Sequence, residues 1–239
     1  MIDFSGPFVD FTRYSGWQVF WYIGGFLMWV PAYVAVIVIA CRQRRLEIPV
    51  LAAVGNVTWE FMWGFLYKVD MGWGLQLVYQ GAFLLDCFIL WNVFRYGALQ
   101  TNNEAARRAF NWLVFALIAG WAAFYAGMRG GGYDLPLGSI SAYTLNVAES
   151  AIYLWIGITI ANPLLQSPTV AWSKGLGTGM VSVFVFLRYA GNDFVQVLAV
   201  MVAVLDLVYM VVLVTRRRAA LRTSLRPPEK TTRSTTPPA

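Results

Sequence analysis

The residues best suited to chemistry are carboxyl groups set inside apolar runs. Of the twelve aspartates and glutamates, Glu60, Asp86, Glu149 and Asp206 fall there. A charged carboxylate at mid-bilayer costs several kcal/mol, roughly 3 on insertion scales, so such groups face a protein interior and usually serve a function. An apolar cavity disfavours the ionised form, and a second carboxylate nearby disfavours it further. At least one member of the cluster is therefore expected to be a protonated acid able to donate a proton. The chain contains no histidine, which removes the usual neutral-pH acid/base group and the commonest transition-metal ligand. Proton chemistry must rest on carboxyls or tyrosines.

Helical spacing surrounds these acids with polar and aromatic partners. Asn56, Glu60, Trp63 and Tyr67 follow the three-and-four rhythm of one helix stripe. Asn146, Glu149 and Tyr153 repeat it, and Asp206 and Tyr209 stand one turn apart. Eleven tryptophans, twelve tyrosines and sixteen phenylalanines accompany them. Trp17, Trp21, Trp73 and Trp172 fit interfacial belts. Trp59, Trp63 and Trp91 lie nearer mid-span, where a ring face attracts a cation through its quadrupole. For a single such ring, packing is the simpler role. The same caution applies to the acids, since a lone intramembrane carboxyl can serve only to bond one helix to the next.

These groups must be held by membrane helices. At 59% hydrophobic and 13% charged residues, the chain lies outside the balance of soluble domains. Apolar runs near the roughly 20 residues that cross a bilayer predict spans at Trp17–Ala40, Ile48–Tyr67, Trp73–Phe94, Ala109–Met128, Gly138–Ala161, Val170–Leu187 and Phe194–Val214. Turn-rich breaks such as Gly130-Gly131-Gly132 separate them. The expected fold is an all-α integral membrane protein, a seven-transmembrane helix bundle. Arg42, Arg44 and Arg45, then Arg95, Arg107 and Arg108, then Arg216, Arg217, Arg218 and Arg222 follow the first, third and seventh spans and so share one side of the membrane. That bias puts the N-terminus outside and the C-terminus in the cytosol. The net charge of +6 then reflects topology and anionic headgroups, and nucleic acid is not an expected partner. Residues 1–16 form a short extracytoplasmic segment without signal-peptide character. Residues 17–214 form the transmembrane catalytic domain, and 215–239 a basic cytosolic tail too rich in Arg, Thr, Ser and Pro to fold. Cys41 and Cys87 have neither disulfide nor zinc spacing. P-loop, Rossmann and HExxH motifs are missing, as is an aspartate-rich diphosphate-metal motif, and the seventh span has no lysine for a retinal Schiff base.

Gly55-Asn56-Val57-Thr58-Trp59-Glu60-Phe61 resembles the Asn-x-x-Trp-Glu-Phe signature of the small integral-membrane terpene cyclases of fungal meroterpenoid and indole-diterpene pathways. Leu85-Asp86 followed by Tyr96-Gly97, then Asn146, then Leu205-Asp206-Leu207-Val208-Tyr209 agree in order. The resemblance implies that Glu60 and Asp206 are the essential acids. It implies cyclisation started by protonation of a terminal alkene or epoxide on a prenyl chain, with no diphosphate ionised and no metal or other cofactor. Asp86 and Glu149 would set the local field. Asn56 and Asn146 would orient the acids or the substrate head. Trp59, Trp63, Tyr67, Trp91, Tyr153 and Tyr209 would line the cavity. The compact loops and arginine-rich tail look more like a bacterial relative, which implies a cell-membrane protein acting on farnesylated indole diketopiperazines to give drimane-type products. Which acid donates, and whether alkene or epoxide is protonated, stay open. The rival reading is a proton-coupled carrier of a small solute, because mid-membrane carboxyls also serve as proton relays. A seven-helix receptor is a third reading, carried by fold alone.

Overall fold

In the computed structural model, residues 5–224 are described, and the segment 225–239 of the expected tail lies outside them. Among the described residues there are seven α-helices and no strand: α1 Gly16–Gln43, α2 Val50–Phe61, α3 Trp73–Tyr96, α4 Glu104–Gly130, α5 Ser139–Thr159, α6 Pro168–Arg188 and α7 Asp193–Ser224. Five of the helices are long and apolar enough to cross a membrane. The molecule is an α-helical membrane bundle. Two boundaries differ from the hydropathy reading. The apolar run of the second span ends in a π-helical turn, Met62–Leu66, and α7 continues to Ser224, so residues 215–224, expected in the tail, are helical.

That extension is fixed by arginines. Arg216 donates to the carbonyls of Gly157, Ile158 and Ile160, and Arg217 to those of Pro163, Leu164 and Gln166. The C-terminal carbonyls of α5 have no intrahelical donors of their own. These two arginines thus cap α5 and its following loop, a role beyond the orientation and headgroup contact expected of them.

At the opposite end, the N-terminal segment folds onto the bundle. Asp10 N–H donates to the Met71 carbonyl at 2.8 Å, and Gly74 N–H to that of Phe8 at 2.9 Å. Gly72 has φ +113°, and a Cβ there would lie 2.5 Å from the Phe8 carbonyl oxygen; only glycine tolerates both. Tyr14, buried and hydrogen-bonded to Asp70, packs over Phe184 with the Arg188 guanidinium 4.8 Å from its ring. The segment therefore closes this end of the bundle.

Helices α1 and α6 approach through Gly25 and Gly177. A Cβ on Gly177 would stand 2.3 Å from the Trp29 ring and 2.8 Å from the Gly25 carbonyl oxygen. Small residues at such crossings let backbones meet, the main source of helix association in lipid. From this pair the bundle continues α6 to α7 to α5 to α2, with α3 and α4 packed on α2. An interior space is left between α1, α2, α5 and α6.

Candidate active site

The interior cavity has a volume of about 130 Å³. Its walls come mainly from α1, α2, α5 and α6. Of the residues expected from sequence, Asn56, Trp59, Glu60, Asn146, Glu149 and Tyr153 line it. The others stand behind or away from it. Trp63 is fully buried and stacks on Trp59, centroids 5.0 Å apart and planes at 8°. Tyr67 continues the column edge-on to Trp63 at 5.0 Å. Tyr209 backs Tyr153 at 5.5 Å. Trp91 is 62% exposed, on the outer surface of α3, where lipid and not substrate would meet it.

Trp59 is held on three sides. Its indole N–H donates to Ser141 Oγ at 2.9 Å, Trp63 covers one face and Tyr79 meets its edge. Gly138, in the left-handed conformation at φ +71°, starts α5 beside these rings, and a Cβ there would come within 2.3 Å of Trp63. The π turn after Glu60 frees backbone carbonyls from α-helical pairing. Glutamines of α3 satisfy them: Gln76 Nε2 donates to the carbonyls of Trp63, Gly64 and Tyr67, and Gln80 Nε2 to that of Gly64.

Glu60 and Asp86 form a carboxyl pair. The Tyr33 hydroxyl donates to Glu60 Oε1 at 2.9 Å. Glu60 Oε2 and both oxygens of Asp86 are buried without a donor, and the two carboxyls lie within hydrogen-bonding range of each other. Two carboxylates cannot donate to one another. One proton held between them joins Glu60 Oε2 to a single Asp86 oxygen and leaves the other Asp86 oxygen without a donor. Glu60 opens onto the cavity, while Asp86, fully buried, stands behind it on α3.

Asp206 has a different partner. Lys174 Nζ on α6 lies 2.9 Å and 3.1 Å from its two oxygens and 2.6 Å from Ser150 Oγ. Both charges are buried. Asp206 does not line the cavity and reaches it only through Lys174, which does. The hydropathy pattern reads α6 as an apolar span and does not single out its lysine. The signal was present: an unbalanced cation inside a span needs an anion from another helix.

A second omission is the whole face of α1. Tyr22, Phe26, Trp29 and Tyr33 line the cavity and recur at intervals of four, three and four, the rhythm of one helix stripe. That spacing is legible in the sequence, but α1 carries no acid to mark the stripe as functional.

The family described as Pyr4-like transmembrane terpene cyclases is matched over residues 9–219. The chain is a member of that family. No curated protein and no solved structure matches it. A membrane terpene cyclase needs an enclosed, largely apolar space with a proton source and ring faces for cationic carbon. In this cyclase the space between α1, α2, α5 and α6 is lined by aromatic rings and by the carboxyls of Glu60 and Glu149.

Proposed function

We propose that the protein catalyses a protonation-initiated, class II-type cyclisation of a farnesyl or epoxyfarnesyl chain attached to an aromatic or indole scaffold. The product is an isomer of the substrate, and no diphosphate is ionised. Glu60 delivers the proton. What carries this reading is the Glu60–Asp86 pair, a carboxyl with a proton to give at the wall of an aromatic cavity. Tyr33 orients the acid through Oε1. Sharing one proton, the pair carries one negative charge before transfer and two after it, the second set against the substrate cation that the transfer creates. Trp59, with Tyr22, Phe26 and Trp29 of α1, presents π faces to the travelling cation, each worth about 1–2 kcal/mol when desolvated.

Asp206 acts in this scheme through Lys174. A carboxylate bound to an ammonium by both oxygens is a poor proton donor, so its part is to hold a fixed charge beside the cavity. Asn56 and Asn146 supply amides for the acids or for the polar head of the substrate. The family's activity displaces the proton-coupled carrier as a reading. A bacterial cell membrane, a farnesylated indole diketopiperazine and drimane-type products complete the proposal, on the resemblance described above.

The test is product analysis by mass spectrometry and NMR in deuterated water, with membranes containing the protein and a panel of farnesylated and epoxyfarnesylated aromatic scaffolds. The expected product is an isomer with fewer double bonds and deuterium at the former terminal alkene. A ring-opened hydroxylated isomer from the epoxide would select epoxide initiation instead. No conversion of any scaffold by folded protein would overturn the reading.

A further inference from the structure

Cyclisation that begins by adding a proton must end by losing one, and the initiating acid is badly placed to take it back. Each ring closure moves the cationic carbon away from the carbon that was protonated. The accepting group must therefore stand further along the folded chain. Among the cavity residues, Glu149 is the carboxyl that the initiation step leaves unused.

Its position fits. The Asn56 amide lies within hydrogen-bonding range of the Glu149 carboxyl. Asn56 precedes Glu60 by one turn of α2, about 6 Å along the axis. Glu149 thus stands one turn below the donor, across the same space, with Tyr153 beside it. Its surroundings also differ from those of Glu60. The Lys174 ammonium, bound to Ser150 Oγ at 2.6 Å and to both oxygens of Asp206, also lines the cavity.

We infer that Glu149 is the base that ends the reaction. The alkene π pair takes the proton of Glu60, and the ring carbon–carbon bonds form from the remaining alkenes. The Glu149 carboxylate then removes a proton from the carbon next to the final cation, and that C–H electron pair becomes the product double bond. The proton then on Glu149 returns to the initiating pair before the next turnover, and Tyr33, bonded to Glu60, borders the same cavity. This assignment rests on the protonation-initiated reading.

The experiment compares wild type, Glu149→Gln and Glu60→Gln in membranes, with the farnesylated scaffold that wild type converts, following both substrate consumption and product structure. Glu149→Gln is expected to keep consuming substrate, because protonation and ring closure precede the step that needs the base, whereas Glu60→Gln is expected to lose consumption. Its product is expected to change from one alkene to a mixture of alkene isomers and a water-captured alcohol. An unchanged single product from Glu149→Gln overturns the assignment while leaving the initiation scheme intact. Complete loss of consumption in folded Glu149→Gln, matching Glu60→Gln, also overturns it, since the residue would then belong to initiation. Should Glu149→Gln fail to fold, Glu149→Asp, which withdraws the carboxyl by one methylene, decides the question. A shifted alkene ratio supports the base and an unchanged one overturns it. A wild type that converts nothing overturns both readings together.

Discussion

Glu60 and Asp206 are both buried carboxyls, one at the cavity wall and one behind Lys174, and their surroundings are inverted. Around Glu60 stand a phenol and a second carboxyl, with oxygens left without donors. Around Asp206 an ammonium engages both oxygens. The first environment is short of protons and favours holding one. The second is satisfied by charge, and any proton added to Asp206 would cost the ion pair. Two acids that look equivalent along the chain are thus suited to different work: one to proton transfer, the other to fixing a charge and a helix.

The comparison can be broken by exchanging acid for amide at each site. Glu60→Gln keeps the shape and removes the proton, so turnover should fall about a thousandfold, measured as product formed by protein that still melts as wild type in detergent. If Asp206→Asn caused the same chemical loss with unchanged stability, the two acids would share the proton-transfer role and the contrast would fail. Asp206→Asn is instead expected to destabilise the protein by about 3–5 kcal/mol, because Lys174 is left as an unpaired buried cation. Chemical denaturation in detergent measures this. Removing both charges, Lys174→Met with Asp206→Leu, should restore most of the loss.

Smaller effects sharpen the boundary of the site. Gln76→Leu leaves carbonyls of the π turn without their donor and should cost about 1–3 kcal/mol. Because that turn carries Trp63, the stack behind Trp59 loosens, and product selectivity should decline along with the melting temperature. Trp91→Leu sits at the other extreme. Its ring faces outward, so stability should change by less than about 0.5 kcal/mol and product identity not at all. A changed product from that variant would place the substrate on the lipid side of α3.

Much of the bundle was legible because lipid imposes a simple rule: backbone polar groups must be satisfied within each span, so apolar length predicts a helix. The predicted spans agree with the seven helices to within a few residues, apart from the π turn and the extension of α7. Asn56, Trp59 and Glu60, and Asn146, Glu149 and Tyr153, fell on cavity-facing stripes because helical periodicity orders residues within one element. Trp91 failed the same reasoning. Its residue type suggested a cation-binding ring, but type says nothing about which face of α3 turns inward.

By itself the sequence determined the class, the number of helices, the acids inside them and, through the Trp-Glu-Phe motif, the family. Only the tertiary structure decided how the acids are paired. Asp86 reaches Glu60 from another helix, and Lys174 reaches Asp206 from a span that looked merely apolar. Local periodicity fixes the direction of a side chain on its own helix, whereas protonation depends on charges and donors that neighbouring helices bring within a few ångströms. Those neighbours are set by the Gly25–Gly177 crossing and by the order in which the helices pack.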